Sequence, residues 1–259
     1  MKTFKISIIA SCFLLVTGLV SGQEYKVAVQ NAKDTRVVLR DFNGELPIEG
    51  YNGNEIIITS ASGRQELPEK AKGLKPVFPG GTDNTGIGLD VNKSDNVITI
   101  RCLVPFTQPK DYKIRMPENA AIELSSGCER SNDVTVSGMK GELDIQSCHN
   151  IDLKDVSGPL VLSTISGNIT ISYAGMNTLK STSIQNVSGD IDITLPSRAA
   201  VTLELATVSG AFYSDFDFTE SKKDLKKIGG NAMNYDLNGG GAKYTVGTVS
   251  GNIFLRKGN

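Results

Sequence analysis

Residues 187–195 read Val187-Ser188-Gly189-Asp190-Ile191-Asp192-Ile193-Thr194-Leu195, a Ser-Gly corner followed by alternating apolar and polar side chains. The opening tripeptide, Val/Ile-Ser-Gly, begins at six positions in the chain: residues 136, 156, 165, 187, 208 and 249. Successive copies lie 20, 9, 22, 21 and 41 residues apart, which fits a unit of about ten residues with missing copies and one insertion. Self-similarity at this length is typical of a stacked repeat, in which one unit cannot bury its apolar face alone.

Alternation with period two continues outside the marked copies and predicts β-strands throughout the repeat region. The expected core residues form pairs two positions apart, so that both members point to the same face of a strand. These pairs fall at residues 143/145, 151/153, 160/162, 169/171, 191/193 and 201/203. Ser, Thr, Asp and Lys between and around them are expected to face water.

Short strands joined by tight turns can form hairpins or the sides of a coil. Similar turns recur here at similar steps, which favours a coil whose units stack in register. We therefore predict an all-β fold, a single-stranded β-helix (β-solenoid) with two strands per coil of about 20 residues. Crossovers between parallel strands are almost always right-handed, so a right-handed coil is expected.

The β-helix is predicted to be one domain over residues 23–259. Pro and Gly predict two irregular excursions from it, at about 63–96 and 214–234. The last strand ends in Arg256 and Lys257, which are expected to cap the stack against end-to-end pairing. Gly followed by Asn or Asp at the corners suits a sharp turn, since Gly accepts positive φ. The alternative is that these corners form a ligand-binding edge.

Residues 1–22 are predicted to be a signal peptide. Lys2 and Lys5 precede an apolar stretch. Small residues lie directly before Gln23 and mark a cleavage site, so Gln23 is the expected first residue of the mature chain. An alternative is lipid attachment at Cys12. The protein is therefore expected to be exported to the periplasm, the cell surface or the extracellular medium, with no transmembrane span after cleavage.

The chain has 27 Lys and Arg against 28 Asp and Glu, a net charge of -1, and no Trp. Because it has no basic stripe, no nucleic-acid partner is expected. A catalytic triad needs a base, and the single His149 is expected at a solvent-facing corner. We predict no catalytic residues, no metal site and no cofactor.

Two cysteines, Cys128 and Cys148, lie 20 residues apart, about one coil, so a disulfide between neighbouring coils is possible and export would permit it. Cys102 alternates with Ile98 and Ile100 and is expected to be buried.

Phe212, Tyr213, Phe216 and Phe218 alternate with polar residues and form the candidate ligand-binding surface. The other interpretation places most of them in the core.

Recurring acids provide the second functional hypothesis. β-Helices that cleave polysaccharides place carboxylates and basic residues on an outer sheet face, and Asp144, Asp152, Asp190 and Asp192 alternate with core residues here. Solubility alone would also require such acids. A carbohydrate-active enzyme would need a groove with paired carboxylates and a nearby Arg or Lys.

The repeats, the loop 83–88 (Asp-Asn-Thr-Gly-Ile-Gly), the segment 237–241 and the C-terminal segment 248–257 together resemble the bacterial putative adhesin family. This resemblance implies an exported β-helix protein and supplies no functional residues. Our leading hypothesis is a non-enzymatic surface or periplasmic binding protein, adhesin-like, that contacts a surface glycan or protein through its β-helix faces and loops. The alternatives are a carbohydrate-active enzyme of β-helix type and a structural envelope component.

Overall fold

A computed structural model describes residues 23–60, 69–74, 77–125, 127–129, 132–175, 180–217, 219–220 and 231–258. These residues hold one short 3-10 helix, Glu69–Ala71, and no α-helix. The strands are β1 (Gln23–Ala28), β2 (Arg36–Arg40), β3 (Ile48–Tyr51), β4 (Glu55–Ser60), β5 (Val77–Phe78), β6 (Gly81–Thr82), β7 (Leu89–Ser94), β8 (Val97–Cys102), β9 (Tyr112–Pro117), β10 (Ala121–Ser125), β11 (Val134–Ser137), β12 (Leu143–Ser147), β13 (Ile151–Val156), β14 (Leu160–Ser166), β15 (Ile169–Tyr173), β16 (Thr182–Ser188), β17 (Ile191–Pro196), β18 (Val201–Ser209), β19 (Phe212–Ser214), β20 (Thr219–Glu220), β21 (Asn231–Leu237), β22 (Ala242–Ser250) and β23 (Ile253–Gly258).

Two large sheets enclose the core. Sheet A has the order β1-β4-β9-β3-β11-β13-β15-β17-β23-β19, and sheet B has the order β20-β21-β18-β22-β16-β14-β12-β10-β2-β8-β7. From β10 to β17 the chain alternates between the sheets, so each coil contributes one strand to each, and equivalent strands pair in parallel. The predicted all-β, β-helix-like solenoid is therefore confirmed. No helix in the described part of the chain is long and apolar enough to span a membrane.

The core consists of the predicted pairs. Every residue at 143/145, 151/153, 160/162, 169/171, 191/193 and 201/203 is at most 1% exposed. In-register pairs such as Ile151 with Ile169, and Ile169 with Ile191, stack the same side-chain type on successive coils. Each fully buried aliphatic side chain contributes about 1.5–3 kcal/mol to stability.

The order of coils in space differs from their order in the chain at both ends. The C-terminal strands do not close the stack: β22 lies between β16 and β18, and β23 lies between β17 and β19. At the other end, β2 lies between β8 and β10, and β3 lies between β9 and β11. Both terminal coils are thus held between two others.

The expectation that Arg256 and Lys257 cap the last coil is wrong, because β23 is an interior strand of sheet A. Among the described residues, antiparallel strands end the stack at three of the four sheet edges: β21 pairs with β18, while β7 and β4 pair with β8 and β9. The fourth edge is β19, which is parallel to β23. The 41-residue step between Ser209 and Ser250 is not a run of missing copies, since these two serines are direct neighbours on adjacent coils.

The first predicted excursion, 63–96, is regular in part. Leu89–Ser94 forms β7, which pairs with β8 along its whole length. Leu89 and Val91 alternate toward the core and Ile87 is buried, so this segment covers one end of the stack. In the second excursion, residues 218 and 221–230 lie outside the described residues, as does the predicted signal peptide with Cys12.

Candidate functional site

The Asn and Asp residues at the corners form a ladder along the coils. Asn150 Oδ1 accepts a hydrogen bond from the Asn168 backbone N–H (2.7 Å), and Asn168 Oδ1 accepts one from the Asp190 N–H (2.9 Å). The series continues, since Asp190 Oδ1 accepts from the Asn252 N–H (2.7 Å) and Asn252 Oδ1 from the Ala211 N–H (3.1 Å). These oxygens satisfy backbone donors, which supports the interpretation of the motif as corner chemistry over that of a ligand-binding edge.

A substitution at Asn168 tests this ladder. In Asn168→Ala the Asp190 N–H loses its acceptor at an exposed site, where water can replace it, and we expect the free energy of unfolding to fall by about 0.5–1.5 kcal/mol. Asn168→Asp keeps a side-chain oxygen, as Asp190 does on the next coil, and should cost less. Urea unfolding followed by circular dichroism measures both values. Equal losses in the two variants would contradict a role for the acceptor.

Cys128 and Cys148 form a disulfide in the structure, with their Cα atoms 5.2 Å apart. They follow β10 and β12, which are neighbouring strands of sheet B. Cys102 is buried, as expected. His149 is exposed, and its backbone N–H donates to Ser147 Oγ (3.0 Å). Within the described ranges, no three His, Cys, Asp or Glu side chains are grouped to hold a metal ion.

Removal of the disulfide is expected to destabilise the fold. The double variant Cys128→Ser, Cys148→Ser removes a cross-link between residues 20 positions apart. Closing a loop of that length in the unfolded chain stabilises the folded state by about 3 kcal/mol. The midpoint of urea unfolding should shift downward in the double variant, and in the parent protein after reduction. A midpoint insensitive to reductant would contradict the expectation.

The predicted aromatic surface divides between core and solvent. Phe216 is buried and Phe212 packs against the core, while Phe218 lies outside the described residues. Tyr213 is 53% exposed and points outward from β19. Its ring stacks on Phe254 of β23, with centroids 5.1 Å apart and an interplanar angle of 13°. The sequence analysis missed Phe254, because 41 residues separate it from Tyr213 and only the coil order brings the two rings together.

Charged groups adjoin the stacked rings. The Arg256 guanidinium donates from Nε to Asp192 Oδ1 (2.8 Å) and from Nη2 to Asp192 Oδ2 (2.7 Å), and these bonds raise the pKa of Arg256. The same guanidinium lies 5.6 Å from the Phe254 ring centroid. We call Tyr213, Phe254, Arg256 and Asp192 the aromatic patch. It occupies the outer face of sheet A across β17, β23 and β19.

A pair of carboxylates lies on the outer face of sheet B. Glu123 of β10 and Asp144 of β12 are in register on adjacent strands. Arg40 donates a hydrogen bond to the Glu123 carboxylate. Arg36 Nη1 lies 3.7 Å from Glu123 Oε2, and Arg36 Nη2 lies 3.3 Å from Glu142 Oε1. Burial raises the pKa of Asp144, and repulsion from Glu123 adds to the effect. A small cavity of about 30 Å³ lies elsewhere, beside Phe42.

Asp144 should make stability depend on pH. Because its pKa is higher in the folded protein, the native state bears a cost whenever this carboxylate is ionised. Asp144→Asn should therefore raise the free energy of unfolding at neutral pH, and the gain should vanish below about pH 4, where the unfolded chain is also protonated. Denaturant titrations at several pH values measure the difference. A gain that does not change with pH would exclude this cause.

The chain is similar in sequence to one family model and aligns with two solved structures. A family model described as Toastrack DUF4097 matches residues 116–256, more than half of the chain. A solved structure described as a putative cell adhesion protein from Clostridium sporogenes aligns at 12% identity over 92% of this chain and 100% of that one, with a TM-score of 0.47. A putative adhesin from Bacteroides fragilis aligns at 11% identity over 90% and 96% of the two chains, with a TM-score of 0.32. No curated protein matches.

The family model spans the regular coils, the inserted C-terminal coil and all four residues of the aromatic patch. The resemblance to the putative adhesin family expected from the repeats and the C-terminal segment is confirmed by this family model, which covers the repeats and nearly all of that segment. The chain belongs to the Toastrack DUF4097 family.

Proposed function

We propose that this protein is an exported, non-enzymatic, adhesin-like binding protein of the cell surface or periplasm. The observation that carries the proposal is the aromatic patch, in which a half-exposed Tyr213 ring is held on a strand of a large sheet. Aromatic side chains with a polar group are favoured at recognition surfaces, because they bury a large area at little entropic cost. Residues 1–22 would direct export and be removed before Gln23.

The surrounding structure supports binding by a preformed surface. Phe254 lies between Tyr213 and the Arg256–Asp192 pair, so the four side chains restrain one another. β23 is paired on both sides, with β17 and β19. A ligand that contacts this face therefore meets side chains whose ordering cost was met during folding.

Binding of the mature chain, residues 23–259, to whole cells and to immobilised envelope fractions tests the proposal. Tyr213→Ser combined with Phe254→Thr should abolish binding, whereas Val208→Ser, at a 65% exposed position on sheet B, should not. Circular dichroism and urea unfolding would verify that both variants fold. Undiminished binding by the patch variant would reject the aromatic patch as the binding surface.

A carbohydrate-active enzyme is the second candidate, and the Glu123–Asp144 pair is the observation that favours it. The two carboxyl groups stand on adjacent strands beside two arginines, and the raised pKa of Asp144 suits a general acid. Release of reducing ends from polysaccharides would test this, with Asp144→Asn and Glu123→Gln expected to be inactive. Release that is unaffected by either substitution would exclude the pair as catalytic.

We also propose that residues 23–259 form one domain and that its coil is right-handed. The handedness of crossovers between parallel strands supports the second statement. The strands of residues 23–60 pair into the same two sheets as the family region, which supports the first. A crystal structure of the mature chain would test both.

A further inference from the structure

We infer that the aromatic patch binds a neutral pyranose unit of a surface glycan. The inference rests on the proposed function, which it makes specific by naming the ligand class and the side chains that select it. Three features carry it: the position of Tyr213 at the edge of a sheet, the unused donors of Arg256, and the balance of charge around the rings.

Tyr213 offers an aromatic face at the end of a sheet. β19 is the last strand of sheet A in the described residues and pairs only with β23 there. One face of the Tyr213 ring packs on Phe254, yet the side chain stays 53% exposed. The C–H face of a pyranose is apolar and flat, and it matches a ring of this size, while sugar hydroxyls at its edge still reach water.

Arg256 and Asp192 supply donors and acceptors next to that ring. Nε and Nη2 of Arg256 bind the two oxygens of Asp192, which fixes the plane of the guanidinium beside Phe254. A guanidinium has five N–H donors, so this pairing leaves several for a ligand. Sugar hydroxyls both donate and accept, and adjacent hydroxyls suit the side-by-side donors of a planar fork.

The charge around the patch argues for a neutral sugar. Asp215 accepts from the Lys257 backbone N–H (2.8 Å), and Asp217 lies 3.7 Å from Lys257 Nζ. Lys257 Nζ lies over the Phe216 ring (5.4 Å from its centroid), so the charged groups tied to the patch itself are the acids Asp192 and Asp215 against Arg256. Arg256, the basic side chain beside the rings, is already paired with a carboxylate. An acidic sugar would therefore meet net negative charge, and Arg256, the cation that could pair with it, is already bound to Asp192. A uronic or sialic acid is thus disfavoured.

The test uses the mature chain and printed neutral oligosaccharides of hexose and N-acetylhexosamine, with acidic oligosaccharides on the same array. We expect binding to neutral glycans. Isothermal titration calorimetry then uses the neutral oligosaccharide that binds the parent protein most tightly. Its affinity for Tyr213→Ser should be about tenfold weaker than for the parent protein. Arg256→Lys, which keeps the charge but loses the fork, should also weaken binding. Val208→Ser is the matched surface control and should bind normally.

The outcomes separate this inference from the proposed function. Binding confined to acidic glycans, or neutral-glycan binding that survives Tyr213→Ser, overturns the neutral-pyranose assignment. If the patch variant loses binding to cells while no glycan binds the parent protein, the surface-binding proposal stands and the glycan inference fails. If cell binding also survives the patch variant, both fail.

Discussion

A disulfide should form between positions 188 and 250, and none between positions 188 and 209. Ser188 of β16 and Ser250 of β22 are in register on adjacent strands, and Ser250 is in register with Ser209 of β18. Adjacent strands lie about 4.8 Å apart, which a disulfide can span, whereas positions two coils apart are separated by about 10 Å. All three serines are exposed, so the substitutions disturb little packing.

The experiment compares two double variants. Ser188→Cys with Ser250→Cys should oxidise fully and raise the free energy of unfolding by about 4 kcal/mol, because the bond closes a long loop. Ser188→Cys with Ser209→Cys is the matched control and should keep two thiols. Peptide mapping without reductant identifies the bonds and distinguishes them from the native Cys128–Cys148 bond. The reverse result would show that coils stack in the order of the chain.

The sequence predicted the cross-section of the solenoid well, for a local reason. A strand with one buried face must alternate apolar and polar residues. A corner that lies against another coil must allow the two backbones to approach closely. Both requirements leave a pattern within about ten residues of sequence. Leu143 with Ile145 and Ile191 with Ile193 are examples, all at most 1% exposed. Three residues of the ladder, Asn168, Asp190 and Asn252, are ones that the corner pattern singled out, whereas Asn150 follows His149 and has no Gly before it.

The order of the coils could not be predicted in the same way. Ser188, Ser209 and Ser250 occur in almost identical sequences, so each could pair with any of the others at similar cost. The local sequence does not distinguish these coil orders; the order is set by which strands pair over long distances in the chain, and β22 pairs with both β16 and β18. The aromatic patch depends on that choice, since Phe254 meets Tyr213 only because β23 lies beside β19. Sequence therefore identified Tyr213 without its partner.

The repeated tripeptide also has two environments that its sequence does not distinguish. Val136 and Val156 belong to strands of sheet A and are fully buried. Ile165, Val187 and Val249 belong to strands of sheet B and are about half exposed. In sheet B the residue before them, such as Asn186, turns inward and donates to the Gly167 carbonyl (2.8 Å).

The glycines at the corners should be required for steric reasons as well as for their backbone angles, and Gly158 isolates the steric effect. Gly158 has no positive φ, but a Cβ there would overlap the carbonyl oxygen of Gly141 on the neighbouring coil. Both coils are held in the interior of the stack by parallel strands, so neither backbone can withdraw without breaking its own ladder. Gly158→Ala should lower the free energy of unfolding by about 3 kcal/mol or more.

Gly239 provides the matched control. Its φ is +90°, yet nothing lies within 4 Å of the position that a Cβ would occupy. Gly239→Ala therefore adds backbone strain without overlap and should cost about 1–2 kcal/mol. Urea unfolding of the two variants separates the terms, because each glycine lacks one of them. If Gly158→Ala costs no more than Gly239→Ala, the coils can separate locally, and contact between corner backbones does not set how closely they stack.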